Sequence, residues 1–382
     1  LFKRKLEAAG VGPAGVTSLD ELDSIPLTVK QELRDAEAAH PPFGDYRGAP
    51  LADCVRLATT TGTSGRPTIL LWTKRDLEIE YEAYCRNQRR GGLKPGDTVV
   101  VTAHPGYLNG GEPMVRGAME HFGALCVSVG PPTDEAEIRK AIEIFQLVKP
   151  TRYALMGPAR LKFYEVAKEM GLDPEEDLGL TPAPVNPAAQ YLSASAGMDA
   201  FAYLGSACSA ERGAHVAEDL AIVQIVDPAT GRSLPDGERG HLVLTTLERD
   251  NFVVRYDLED IAHLETDPCA CGETTARLFW HGRDKDVVRV ADKTLLPIDV
   301  ELPLQAFDEL KQPALIFQLA RRASQPQAQL EIRVEAEGDI DRDKISVSLA
   351  QSVGVPAVIE WLPLGGIPRT TYKPAYIVDI ED

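Results

Sequence analysis

Between two apolar runs, Cys54–Ala58 and Ile69–Trp72, the chain carries Thr59–Thr68, TTTGTSGRPT. Gly62 and Gly65 admit backbone angles that other residues resist, so successive N–H groups can converge on an anion, and Thr60, Thr61, Thr63 and Ser64 add hydroxyl donors. That composition suits a polyphosphate. It is not a Walker loop, which needs a lysine and a hydroxyl residue leading into a helix; here Arg66 is followed by Pro67 and then by β-favouring residues. A glycine- and threonine-rich hairpin turn is the plainer alternative. A second group of residues consists of soft ligands. Cys208 precedes His215 by seven residues, and Cys269 and Cys271 form a Cys-Ala-Cys-Gly knuckle after Pro268. Two such pairs suit a closed tetrahedral zinc site, although Cys-x-Cys is tighter than the usual knuckle and leaves unrelated thiols as the alternative. Cys54, Cys85 and Cys126 stand among apolar or helical neighbours and read as core residues.

The chain has 382 residues, 44% of them hydrophobic, which is enough for more than one core. Its net charge of −18 argues against a nucleic-acid partner, whose backbone is bound by surplus Lys and Arg. No apolar run approaches the ~20 residues needed to span a bilayer, and no signal-peptide pattern opens the chain, so a cytoplasmic protein without a membrane partner is expected. Six cysteines are too few for a disulfide-built fold of this length. Leu1 already lies in an amphipathic segment, LFKRKLEAAGV, which predicts further sequence ahead of it.

Residues 75–91 read as an amphipathic helix ending at Gly91-Gly92, and the turn Pro95-Gly96-Asp97 leads into a strand at Thr98–Thr102. A helix near Pro113–Phe122, a strand at Ala124–Val129, a helix at Asp134–Leu147, a strand at Arg152–Met156 and a helix at Ala159–Met170 follow. This alternation predicts an α/β layer with parallel strands. From Ile222 onward, β-rich runs joined by Gly, Pro and Asp turns predict an antiparallel subdomain. Strands at Gln329–Val334 and Ala357–Trp361 with a helix near Asp343–Ser352 predict a small separate unit. The expected class is therefore α/β: a large N-terminal domain of mixed sheets flanked by helices with a β-rich subdomain, and a small mobile C-terminal α+β domain.

Taken in order, the motifs resemble those of the adenylate-forming superfamily, and most closely those of the phenylacetate–CoA ligase family, over nearly the whole chain. TTTGTSGRPT is similar to the family's Ser-Ser-Gly-Thr-Thr-Gly-Lys-Pro phosphate loop, with Arg66 at the lysine position. VVRYDLEDIA resembles Ile-Arg-Tyr-Arg-Thr-Arg-Asp-Leu and puts Asp260 at the ribose-binding aspartate. HGRDKDVVRV resembles the Gly-Arg-Ser-Asp-Asp segment, which implies that Arg283 touches the nucleotide and Lys285 occupies a domain hinge near 283–287. IPRTTYKPAYIVD resembles Ile-Pro-Arg-Ser-Glu-Gly-Lys-Ala and assigns Lys373 to the catalytic lysine of adenylation. YLGSA stands for Tyr-Gly-x-Ser/Thr-Glu, which keeps Tyr203 and Ser206 on the nucleotide side. The family's Cys-x6-His and Pro-Cys-x-Cys-Gly elements are both matched, which favours a structural zinc held by Cys208, His215, Cys269 and Cys271. The resemblance also implies domains at 1–281 and 282–382. It further implies an acid pocket lined by His104, Tyr107, Gly110, Gly111, Gly157 and Pro158, with Tyr107 stacking on a flat group.

The implied reaction is ATP- and Mg²⁺-dependent, AMP-forming activation of a small, aromatic or otherwise compact carboxylic acid, followed by transfer to CoA. A homodimer is the expected assembly. Three departures bear on this. The Mg²⁺-linked glutamate falls on Ala207, the adenine-side Gly-Ala-Glu-Pro element is reduced to Thr181-Pro182-Ala183-Pro184, and Asp292 stands where a glycine lines the pantetheine tunnel. An amine or other nucleophile as acceptor, or a degenerate non-catalytic protein, are the alternatives these departures leave open. Glu211, Glu218 or Asp219 would be the nearest substitutes for the lost carboxylate, against a plainer reading as surface acids, and the match of Glu218-Asp219 to a family Glu-Asp pair implies a structural role.

Overall fold

The computed structural model describes all residues except 13–14, 60–67, 91, 102–110, 130–133, 155–156, 181–204, 209, 211–212, 312–313, 370–374 and 382. The chain forms two compact units, Leu1–Gly130 with Asn186–Trp280, and Pro131–Val185 with His281–Asp382.

In the first unit the strands Cys54–Thr59 and Ile69–Thr73 pair antiparallel, with Thr59 opposite Ile69. The segment singled out for polyphosphate binding thus connects two paired strands, while its residues 60–67 lie outside the described ones. Ile69–Thr73 is apolar and buried along most of its length. The helix Lys74–Arg90 starts directly after it through a reciprocal cap: Asp76 N–H donates to Thr73 Oγ1 at 3.1 Å, and Thr73 N–H donates to the Asp76 carboxylate at 3.0 Å. The helix buries Leu77, Ala83 and Cys85 and closes with Arg89 and Arg90 in its last turn, where cations oppose the helix dipole. Thr98–Val101 and Leu125–Ser128 pair in parallel across the intervening helix Gly111–Phe122, as strand–helix alternation predicts.

The largest sheet has six strands in the order Gly205–Ala207, Ala214–Val216, Arg277–Arg283, Tyr256–Glu265, Gly240–Thr246 and Ala221–Val226. Its determined pairings are antiparallel, which agrees with the turn-rich sequence after Ile222. Leu242, Leu244, Ile225, Val216 and Leu278 from this sheet share one core with Phe2, Leu22, Ile25 and Leu33 of the N-terminal helices. The buried Arg255 ties those helices down. Its guanidinium donates to the Leu22 and Ile25 carbonyls at 3.0 and 2.9 Å and to the Gly231 carbonyl, and lies 3.3 Å from the Asp23 carboxylate.

In the second unit, residues after His281 build a four-stranded sheet in the order Ala357–Leu362, Leu330–Glu335, Phe317–Arg322, Ile377–Ile380. The helices Pro297–Leu304 and Arg342–Val353 contribute Val300, Leu304, Ile345 and Leu349 to its separate core. Asp341 caps the latter helix by accepting from Lys344 N–H, and Gly354 ends it at φ 68°. The same unit holds the helices Glu135–Val148 and Gly157–Glu169, packed through Phe145 and Phe163, whose rings lie 5.4 Å apart. Among the described residues no helix is long and apolar enough to cross a membrane.

Candidate functional site

The side chains that come together most clearly are the four soft ligands. Cys208 follows the edge strand Gly205–Ala207, and His215 is the middle residue of the neighbouring strand, where it pairs with Ser206 on one side and Arg277 on the other. Gly213, at φ 71°, makes the turn between those strands possible, because a Cβ there would lie 2.8 Å from the Phe279 ring. Cys269 and Cys271 come from the turn before Arg277–Arg283, closed by Gly272 N–H donating to the Cys269 carbonyl at 3.0 Å. The four ligand atoms all lie within 4.8 Å of one another.

The donor set fits a divalent soft metal on geometry as well as type. Cys208 Sγ is 3.7 Å from Cys269 Sγ, and Cys271 Sγ is 3.3 Å from His215 Nε2. A tetrahedron with Zn–S bonds of about 2.3 Å has sulfur–sulfur edges of ~3.8 Å and sulfur–nitrogen edges of ~3.5 Å. The separation of the sulfurs also rules out a Cys208–Cys269 disulfide in this arrangement. The Cys271 backbone N–H, and then the His215 ring, draw the Cys269 thiol from its ordinary 9.0 down to about 6, which favours the thiolate a metal requires. His215 is 1% exposed, and its Nδ1 faces the carbonyl and the hydroxyl of Thr275, each at 3.2 Å, leaving Nε2 turned toward the cysteines. With four protein ligands the cluster keeps no open position for chemistry, so its role would be structural.

Other cysteines are apart from it. Cys85 is buried as expected, donates to the Ala118 carbonyl at 3.3 Å and has its thiol pushed up to about 11 by burial. Cys54 and Cys126 are half-buried rather than core residues.

Of the residues expected on the nucleotide side, Asp260 lies in Tyr256–Glu265 at an irregularity in the ladder. Asp257 pairs with Val243 and Ile261 with His241, so Leu258, Glu259 and Asp260 together face Leu242 alone. Such a bulge re-aims side chains out of the normal alternation. Glu259 adopts φ 58° there, its N–H donates to the Asp257 carboxylate at 2.8 Å, and His241 Nδ1 lies 3.0 Å from the same carboxylate. Asp260 itself is 8% exposed. Ser206 is in the edge strand of the same sheet. Arg283 ends its strand, and Lys285 follows in a single turn at Asp284–Asp286, with its ammonium exposed and 3.5 Å from the Asp286 carboxylate. Gly111 and Gly157-Pro158 open their helices. Thr60, Thr61, Gly62, Thr63, Ser64, Gly65, His104, Tyr107, Gly110, Tyr203 and Lys373 lie outside the described residues, as do Ala183 and Glu211.

The departures are placed as follows. Ala207 is half-buried opposite Ala214. Of the acids nearest in sequence, Glu218 accepts from Ala276 N–H at 2.9 Å and Asp219 makes a two-oxygen pair with Arg86 at 3.0 and 2.9 Å, while Glu211 lies outside the described residues. These contacts are consistent with the structural role expected of Glu218-Asp219. Asp292 is exposed in the two-residue turn between Val288–Val290 and Lys293–Leu295, next to Ala291 at φ 52°.

A phenylacetate–coenzyme A ligase of Thermus thermophilus is 30% identical over 328 residues, spanning 81% of this chain and 71% of its own. The chain belongs to the phenylacetate–coenzyme A ligase family. A second such ligase, from Aromatoleum evansii, is 29% identical over 319 residues, covering 78% of this chain and 69% of its own. A crystal structure of 2-hydroxyisobutyryl-CoA ligase in complex with R3-HIB-AMP matches 99% of this chain and 85% of that one, with a TM-score of 0.84 at 24% identity, a likeness of fold. No model of a known protein family matches the chain.

Proposed function

We propose that this protein activates a small aromatic carboxylic acid with ATP and Mg²⁺ and passes the acyl group to CoA. The observation that carries this reading is the family membership, to which the ordered nucleotide motifs of the chain contribute. In the first half-reaction the carboxylate oxygen attacks the α-phosphorus and pyrophosphate leaves. In the second the CoA thiolate attacks the acyl carbon and AMP leaves. Thr60–Gly65 would cradle the phosphates, Asp260 would accept the ribose hydroxyls, and Arg283, Tyr203 and Ser206 would complete the nucleotide contacts. Lys373 would stabilise charge that grows on the phosphate oxygens as the bond forms, in a C-terminal domain of residues 282–382 turning about Lys285. Tyr107, Gly110, Gly111, Gly157 and Pro158 would hold the acid.

Zinc, bound by Cys208, His215, Cys269 and Cys271, would fasten the edge strand to the knuckle and take no part in either step. The compartment is the cytoplasm and the assembly a homodimer in this reading. The bulge at Asp260 supports it, because an aspartate there leaves the regular in-and-out alternation of the strand. A panel of carboxylic acids, assayed for AMP and pyrophosphate with and without CoA, tests it. Phenylacetate or a related aromatic acid should give AMP and the CoA thioester together. AMP release indifferent to CoA but driven by an amine would replace the acceptor, and no turnover with any acid would refute catalysis.

A further inference from the structure

One buried carboxylate in the C-terminal sheet is committed to the segment that precedes Lys373. Glu335 ends the strand Leu330–Glu335, and its side chain is 1% exposed. Its Oε1 accepts from Ile367 N–H at 2.6 Å and from Arg369 Nη1 at 2.8 Å, while Oε2 accepts from Gly365 N–H at 3.1 Å and from Arg369 Nη2 at 2.9 Å. Arg369 Nη1 also reaches the Ile367 carbonyl at 3.3 Å, and the Ile367 side chain is buried. Two backbone N–H groups and a two-toothed guanidinium therefore converge on one carboxylate, a charge-assisted arrangement that fixes direction as well as distance. On the far side of residues 370–374 the chain is held again. The buried Gln318 amide donates to the Ala375 carbonyl at 2.8 Å, and Leu319 N–H donates to the Tyr376 carbonyl at 2.8 Å.

We propose that Glu335 is a positioning residue for adenylation: by fixing Gly365, Ile367 and Arg369 it sets the base from which Lys373 reaches the α-phosphate. The proposal rests on the reading of Lys373 given above. It differs from a purely structural account in what it predicts for the two half-reactions, because the contact of an ammonium with the reacting phosphate is needed when the adenylate forms and not when CoA takes the acyl group from it.

The test uses the full chain with phenylacetate, or the fastest acid of the panel. ATP–pyrophosphate exchange is measured separately from thioester formation on supplied acyl-adenylate. Glu335→Gln should lower kcat for adenylation about 10- to 100-fold, the range for a group displaced by about an ångström, with KM for ATP and the thioester step unchanged. Added to Lys373→Ala, it should cost nothing further, since both changes remove the same contact. Equal loss in both half-reactions, a full additional loss in the Lys373→Ala background, or native adenylation by folded Glu335→Gln would overturn the proposal. If Glu335→Gln does not fold, Arg369→Lys, which keeps the charge without the fork, is read in the same way. Native adenylation by Lys373→Ala alone would instead remove the reading on which the proposal rests.

Discussion

Replacing Cys269 by Ser probes the metal centre where the geometry is most demanding. The serine hydroxyl is a poor zinc ligand at neutral pH, so the change leaves three of the four ligands that now lie within 4.8 Å of one another. Structural zinc sites contribute about 10–16 kcal/mol, and an equal share for each of four ligands is ~2.5–4 kcal/mol, or roughly 10²–10³-fold in affinity. Zinc content is measured by elemental analysis of protein purified without added metal, affinity by chelator competition, and stability by thermal melting with and without chelator. The native chain should carry one zinc, and Cys269→Ser should lose it to a chelator that the native protein withstands and melt lower. Cys126→Ser, away from the cluster, should retain the metal. The pH dependence has a defined sign. The Cys269 thiol lies near 6 against an ordinary 9.0, so its contribution to the folded state is full above about 9 and is lost as pH falls through about 6. Bound metal should be released on acidification, because its thiolate and imidazole ligands must take up protons to let it go. Native protein that is metal-free and equally stable, a Cys269–Cys271 disulfide, or zinc held as tightly by Cys269→Ser would refute the reasoning.

Lys373→Ala should slow adenylate formation about 10²–10³-fold while leaving nucleotide affinity nearly unchanged; equal loss of both, read by pyrophosphate exchange and by ATP titration, would make the lysine a ground-state contact. Ala207→Glu should lower the Mg²⁺ concentration for half-maximal adenylation by restoring a hard oxygen ligand, and an unchanged Mg²⁺ dependence would place the metal elsewhere. Asp292→Gly should lower KM for CoA and raise thioester yield, because it removes bulk and negative charge from the turn; fast thioester formation by the native chain with no gain on substitution would show that the turn is not on the thiol's path.

What could be read from sequence was what depends on local pattern. The apolar runs around Thr59–Thr68, the amphipathic helix from Lys74 and the parallel pair Thr98–Val101 and Leu125–Ser128 were legible because period and burial coincide in them. Phe317–Arg322 and Ile377–Ile380 were not, since Gln318, Arg321, Arg322 and Asp379 interrupt the apolar pattern with side chains whose partners lie elsewhere in the fold. Of the candidate metal site, residue types and spacing singled out the four side chains that the fold brings together, but Thr275, which orients His215, leaves no trace in the sequence. Glu335 was equally invisible: one acid among many until the strand end carries it to Arg369. Arg255 sits inside a recognised motif, yet its job of holding the N-terminal helices depends on carbonyls more than 220 residues away.

The cluster also says something about the order in which the molecule is made. Cys208 and His215 meet across a local hairpin, and the Cys269 knuckle is a local turn, but Cys208 and Cys269 are 61 residues apart. Between them lie Ala221–Val226, Gly240–Thr246 and Tyr256–Glu265, so the loop that closes when the two halves meet carries three strands of the same sheet. The strands that bear the first half have only three residues each, too few to hold that meeting point alone. A metal bound at this position would complete its ligand set only when both halves have met, and would make their separation slow, because its bonds to one half must break first. Zinc stoichiometry in freshly synthesised chains would then count completed molecules, and chelator would act most strongly on those still being built.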